Sequence, residues 1–281
     1  MADFQTFQTA WCPGCGNFGI LSCLKTALED LGKDPYEVLF VGGIGQAAKT
    51  PQYISGNSFC GLHGRSLPAA VAAKIANEKL TVIVNTGDGD SYGEGGNHFI
   101  HNIRRNVDIT HFIHDNQIYG LTKGQASPTT SEGQITGVQV TGSINTPLNP
   151  LMLAIGAGAG FVARAFSGDR EHLISIMKEA INYKGYAMVD ILQPCTSFNK
   201  VNTFSFYKER VYRLEEDYDF SNKAEAFKKA MEFDEKIPIG IIYKEMRSDF
   251  SKKNVILAGK EPLLDQKTDM QVINKIIHDF V

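Results

Sequence analysis

Leu80–Asp90 reads LTVIVNTGDGD, an apolar run that breaks abruptly into glycine and aspartate. A strand that is apolar on both faces needs cover on both, as in a parallel sheet between two layers of helices. The glycines on either side of Asp88 let backbone approach a phosphate closely while the carboxylate faces a cation. An isolated Gly-Asp-Gly at a strand end is more often a plain turn. Its meaning depends on what the rest of the chain brings beside it.

Four more strand-like runs surround it: VLFVGGIG (38–45), DITHFIHDN (108–116), GFVARAF (160–166) and YAMVDILQ (186–193). Helix-like segments lie between them, at Gly19–Leu31, Leu67–Lys79, Gly95–Asn106, Leu151–Ala159 and Arg170–Tyr183. This alternation predicts an α/β fold with a doubly wound, mainly parallel sheet. Ligands in such sheets bind beyond the carboxyl ends of the strands. GDGD at Gly87–Asp90 and His114–Asp115–Asn116 both fall at such ends. A single helix and strand separate Asp88 from Asn116, so a βαβ unit sets the two side by side. Two side-chain oxygens, a nearby backbone carbonyl, two phosphate oxygens and a water complete an octahedral Mg²⁺ site. Neither GxxxxGK[ST] nor a helix-opening GxGxxG is present to support a P-loop or dinucleotide reading.

The composition is that of a soluble globular chain, with 281 residues, 43% hydrophobic and 21% charged. A formal charge of −3 argues against a basic nucleic-acid binder. No secretory signal and no spanning apolar run are evident, so a cytoplasmic protein away from membranes is expected. Residues 122–147 are polar and lack helical period, which predicts a long functional loop. From Asn199 on, charged helical segments such as AEAFKKAMEF (224–233) replace the alternation. Two units are expected: residues 1–198 as the α/β body and 199–281 as a helical or irregular extension packing on it or on a partner.

Five cysteines, Cys12, Cys15, Cys23, Cys60 and Cys195, are an odd set that argues against a disulfide framework. Cys23 sits in an apolar helical pattern and reads as core. Cys12 and Cys15 in Trp11–Gly16, WCPGCG, are open to a cluster, a zinc site, a redox pair or a bare turn. Zinc wants a second CxxC or a His pair, and none follows. A thioredoxin-like CxxC would follow a strand, and none precedes it.

GDG followed some thirty residues later by Asn resembles the thiamin diphosphate motif. The likeness extends further. WCPGCG, GLHGR (61–65), GDGD, GGNHFIH (95–101), RRNVDIT (104–110), DNQIYGLTKGQ (115–125), SPTT (127–130) and YKERVY (207–212) occur in order. From Trp11 to about Lys244 the chain resembles the β subunit of 2-oxoacid:ferredoxin oxidoreductases. That resemblance implies oxidative decarboxylation of a 2-oxoacid such as pyruvate on thiamin diphosphate, electron transfer through a [4Fe–4S] cluster to ferredoxin, and release of an acyl-coenzyme A. It also implies an α subunit supplying the glutamate that activates the cofactor, so that this chain alone is inactive.

Residue by residue, the resemblance makes Asp88, Asn116 and the Ile118 carbonyl Mg²⁺ ligands. Gly87, Gly89, Asp90, Tyr119, Gly120, Leu121 and Thr122 would complete the cofactor site. Cys12, Cys15 and Cys195 would hold the cluster, and Gln46 stands where the family carries a fourth cysteine. Cys60 is assigned to the cofactor pocket. His63 and Arg65 are candidates to approach the diphosphate or the reacting carboxylate, with a helix-capping loop as the plain alternative. Lys49, Leu121 and Lys123 are candidates for the substrate and coenzyme A approach. Arg104 and Arg105 read as surface residues, and His98, His101, His111 and His114 as structural ones. Two other functions stay open: a non-oxidative thiamin-dependent decarboxylase subunit without a working cluster, and a non-catalytic iron–sulfur electron-transfer or redox-sensing module.

Overall fold

A computed structural model describes residues 3–280. In chain order the regular elements begin with α1 (Asn17–Asp30), β1 (Val38–Gly42), β2 (Asn57–Cys60), α2 (Ser66–Ala76) and β3 (Thr81–Gly87). They continue with α3 (Gly96–Arg105), β4 (Ile109–Asp115), α4 (Pro150–Gly156), β5 (Phe161–Phe166), α5 (Arg170–Asn182) and β6 (Tyr186–Leu192). The remainder are α6 (Phe204–Arg210), β7 (Val211–Arg213), α7 (Lys223–Met231), β8 (Ile237–Lys244), α8 (Phe250–Lys253) and α9 (Met270–Asp279). All five expected strands and all five expected helices are present. The sheet runs in the order β2-β1-β3-β4-β6-β5-β8-β7. Every pairing is parallel except β5 with β8.

The continuous apolar strands are explained by the two layers. Phe40, Ile83, Phe112, Ala163 and Val189 point to one face and pack with Leu24 and Leu28 of α1 and Met177 of α5. Their sequence neighbours Val41, Val82, Val84, Ile113, Val162 and Met188 point to the other, against Leu67, Phe99, Ile103 and Leu151. Side-chain alternation along a strand therefore feeds two cores at once. Caps set the helix starts: Asn149 accepts from the Met152 N–H before α4, and Asp169 accepts from the His172 N–H before α5.

The C-terminal segment differs from the expectation of a helical or irregular extension. It contributes β7 and β8 to the same sheet, and Ile237 and Ile239 pack with Phe166, Leu192 and Tyr207. β8 reads IPIGIIYK, and its Pro238 and Gly240 mask strand character. Among the described residues no helix is long and apolar enough to cross a membrane.

Candidate active site

Connections from β1 go outward to β2, whereas those from β3 go the other way to β4. The carboxyl ends of β1 and β3 therefore frame the crevice expected at a topological switch point. A pocket of about 90 Å³ lies there. All ten residues expected to bind the cofactor line it: Gly87–Asp90 from the end of β3 onward, and Asn116, Ile118, Tyr119, Gly120, Leu121 and Thr122 after β4. His63 also lines it, and so does Ile44–Ala47 from the loop after β1.

Asp88 is 2% exposed. Ser127 Oγ and Thr129 Oγ1 both donate to its Oδ2, at 2.5 and 2.6 Å, and orient the carboxylate. Burial pushes its pKa upward, against the pull of those two hydroxyls. A divalent cation in the pocket opposes that rise. Asn116 Oδ1 accepts from the Ile118 N–H at 3.1 Å, which leaves a second lone pair for a metal. These oxygen donors and the buried carboxylate suit Mg²⁺.

Gly89 has no room for a side chain, because a Cβ there would overlap the Tyr119 ring. Tyr119 OH in turn donates to Glu94 Oε2 at 3.0 Å. Gly43 is equally constrained, since its would-be Cβ would overlap the Asp90 carboxylate. Asp90 Oδ1 accepts from the backbone N–H groups of Gly64 at 2.7 Å and Ile44 at 3.2 Å, tying together the loops after β1 and β2. Burial raises Asp90 to about 6. His63 Nε2 stands 3.7 Å from Asp90 and 3.5 Å from Glu94, so a protonated imidazole pairs with both.

A second, smaller pocket adjoins the first. Cys12, Cys15 and Cys195 line it together with Gln46, Asn17 and Gln193. Gln46, Asn116 and Gly120 belong to both pockets and form their common wall. Cys12 and Cys15 reach it from the turn before α1, and Cys195 from the loop after β6. Trp11 Nε1 donates to the Gln46 carbonyl at 2.8 Å and fastens the CPGC turn to the loop after β1. Burial pushes the Cys15 thiol up to about 11, a backbone hydrogen bond at Asn17 opposes it, and the nearby Cys195 and Cys12 sulfurs add to the rise. Iron pulls such a thiol the other way. No three Cys, His, Asp or Glu side chains among the described residues converge on a single ion. A cluster spreads its ligands farther apart than a single ion does.

Other sequence candidates fall elsewhere. Arg65 is exposed at the start of α2, Lys123 is exposed with φ of 76°, and Lys49 lies on the short turn Ala47–Gln52; none lines either pocket. Cys60, assigned to the cofactor pocket, instead lies on the exposed edge strand β2 and lines neither pocket. His111 and His114 are fully buried, as their structural reading requires. Sequence reasoning missed the roles of Ser127 and Thr129. Their SPTT stretch was visible, but only folding brings it under Asp88.

The description "Thiamine pyrophosphate enzyme, C-terminal TPP binding domain" matches residues 42–191, and the C-terminal part of the pyruvate ferredoxin oxidoreductase β chain matches residues 195–256. The 2-oxoacid:ferredoxin oxidoreductase subunit beta of Saccharolobus solfataricus is 41% identical, over 100% of this chain and 93% of its own length. Subunit beta of 2-oxoacid:ferredoxin oxidoreductase 1 from Aeropyrum pernix is 42% identical, over 98% and 90%. The solved 2-oxoglutarate:ferredoxin oxidoreductase from Magnetococcus marinus, with 2-oxoglutarate, coenzyme A and succinyl-CoA bound, superimposes with a TM-score of 0.90 at 34% identity, covering 98% of this chain and 94% of that one. The switch-point pocket, the GDG–Asn pair and the length of these matches agree: the chain belongs to the family of 2-oxoacid:ferredoxin oxidoreductase β subunits.

Proposed function

We propose that this chain is the thiamin diphosphate- and cluster-bearing β subunit of a 2-oxoacid:ferredoxin oxidoreductase. The reaction takes a 2-oxoacid, coenzyme A and two oxidised ferredoxins to an acyl-coenzyme A, carbon dioxide, a proton and two reduced ferredoxins. The observation that carries it is the common wall of Gln46, Asn116 and Gly120 between an oxygen-lined pocket and a thiol-lined one. When bound, thiamin diphosphate supplies an electron sink, Mg²⁺ neutralises its diphosphate, and an iron–sulfur cluster takes electrons singly.

The chain's own residues divide the work. Asp88, Asn116 and the Ile118 carbonyl hold the metal, with Ser127 and Thr129 fixing the Asp88 carboxylate. Gly87, Gly89, Tyr119, Gly120 and Thr122 wall the diphosphate, and Asp90 clamps the loops that close over it. Cys12, Cys15 and Cys195 hold a [4Fe–4S] cluster. Leu121 is assigned to the substrate side, while Lys49, Lys123 and Arg65 offer positive charge, and His63 a ring N–H, around the approach of an anionic substrate and coenzyme A.

A pocket of about 90 Å³ is far smaller than the several hundred Å³ usual for a cofactor-sized ligand. A partner α subunit that closes the other side, and brings the activating acid, suits that deficit. Exposed apolar side chains on the long loop (Ile135, Val138, Val140, Ile144) and on α9 (Val272, Ile276, Ile277) give such a partner a surface. We assign residues 1–198 to the cofactor- and cluster-binding unit and 199–281 to packing on it and on the partner, in the cytoplasm.

Gln46 at the fourth-ligand position favours one rival, a non-oxidative decarboxylase subunit. Co-expression with the partner, anaerobic purification and product analysis separate the two. Coenzyme A-dependent reduction of ferredoxin with acyl-coenzyme A as product supports the oxidoreductase. Aldehyde with no reduced acceptor overturns it. A purely electron-carrying or sensing module has no use for Asp88 and Asn116, and turnover of any 2-oxoacid removes it.

A further inference from the structure

Gln46 is the residue in the thiol pocket whose chemistry the family resemblance leaves unexplained. Its backbone carbonyl accepts from Trp11 Nε1 at 2.8 Å, one residue before Cys12, which ties the Gln46 main chain to the CPGC turn. Its side chain lines the pocket with Cys12, Cys15 and Cys195. Its Oε1 is buried and has no hydrogen-bond partner among the described residues. Leaving a carbonyl oxygen buried and unmet carries its full desolvation penalty, and a glutamine serving only as filler would turn that oxygen to water or to an N–H.

Asn17 in the same pocket carries the complementary orphan. Asn17 is 1% exposed, and its Nδ2 is buried without an acceptor. Gln193 Nε2 already donates to Cys15 Sγ at 3.5 Å. A lone-pair oxygen with no donor, an N–H with no acceptor and three thiols face one space. Iron would satisfy the oxygen and the thiolates, and inorganic sulfide would satisfy the N–H.

We propose that the Gln46 carboxamide is the fourth ligand of the cluster, bound to iron through Oε1. This rests on the cluster reading of the preceding section. An amide oxygen is neutral and harder than a thiolate. The iron it holds is therefore the most labile of the four, and the cluster is less negative and more easily reduced than an all-cysteine one. Gln46 also lines the cofactor pocket, so a ligand at this position would stand between the two sites.

The test is Mössbauer spectroscopy of the α–β complex, purified anaerobically after growth on iron-57. The expected spectrum resolves one iron site in four as distinct from three thiolate-bound ones. Gln46→Cys should erase that distinction and lower the reduction potential. Gln46→Ala should lose one iron in four on mild oxidation, seen as a three-iron paramagnetic signal, whereas Gln46→Glu should retain all four. A wild-type spectrum with no distinct site, or a Gln46→Ala complex that keeps every iron and an unchanged spectrum, overturns the ligand assignment and leaves the cluster standing. If Gln46→Ala fails to assemble, the wild-type and Gln46→Cys spectra still decide. A wild-type complex without iron or sulfide overturns the cluster reading itself.

Discussion

Asn116, in the wall common to both pockets, and Cys15, in the thiol-lined one, are joined through a single side chain. Gln193 Oε1 accepts from Asn116 Nδ2 at 3.2 Å, and Gln193 Nε2 donates to Cys15 Sγ at 3.5 Å. Gln193 directly follows β6, and its N–H donates to the Asp115 carbonyl at the end of β4 at 2.8 Å. The pairing of β4 with β6 thus holds Asn116, the proposed metal ligand, and Cys15, the proposed cluster ligand, in fixed relation.

Gln193→Leu keeps the volume and removes both hydrogen bonds. A donor to a sulfur ligand stabilises the more negative, reduced cluster, so the variant should have a lower reduction potential. Loss of the support to Asn116 should weaken Mg²⁺ binding on the order of tenfold. Redox titration and calorimetry of the complex read the two effects separately. An unchanged potential would show that this contact does not tune the cluster.

Ser127 and Thr129 both serve Asp88, so Ser127→Ala with Thr129→Val leaves that carboxylate buried without its two hydroxyl donors. Mg²⁺-dependent thiamin diphosphate binding should weaken about 10- to 100-fold, as for other supports behind a metal ligand. Asp88→Ala should abolish it. Calorimetry on the assembled complex measures both, and full binding by Asp88→Ala would remove Asp88 from the metal site.

Gly89→Ala pushes a methyl into the Tyr119 ring. Relief by ring displacement should cost about 1–3 kcal/mol of stability and break the Tyr119 bond to Glu94. A lower unfolding midpoint together with weaker cofactor binding is expected. Combining it with Tyr119→Ala should recover the stability lost to overlap, and no recovery would place the strain elsewhere.

His111 is fully buried among Thr86, Ser91 and Tyr186, with contacts of 2.7–3.0 Å. Burial holds its pKa down at about 3, with the neighbouring His114 adding in the same direction. Unfolding releases the imidazole to an ordinary value near 6.5. Its contribution is therefore complete above that value and is lost as pH falls toward 3, because the unfolded chain then binds the extra proton. The slope is about 1.4 kcal/mol per pH unit for one such group. His111→Gln should flatten the fall of the unfolding midpoint between pH 6 and 4.5 relative to wild type. Parallel curves for the two proteins would contradict this.

Much of the body was legible before folding, because apolar periodicity reports which faces are covered. LTVIVNTG and DITHFIHDN became β3 and β4, and one βαβ unit made Asp88 and Asn116 neighbours through local connection alone. β2 escaped notice because its four residues, NSFC, are exposed and carry no period. β8 escaped because of Pro238 and Gly240.

The departure at Gln46 was legible only through the family resemblance, whereas the amino-acid sequence by itself determined the parallel α/β body and the neighbouring of Asp88 and Asn116. Those rest on short-range patterns, in which residue type and spacing reflect burial directly. Tertiary structure brought Cys195 to the pocket of Cys12 and Cys15, as the resemblance implied, and it alone decided that Ser127 and Thr129 reach Asp88 and that Gln46 stands between the two pockets. These are contacts between distant segments, created by the strand order β1-β3-β4-β6. No local periodicity encodes that order, since it arises only when both faces of the sheet are covered together.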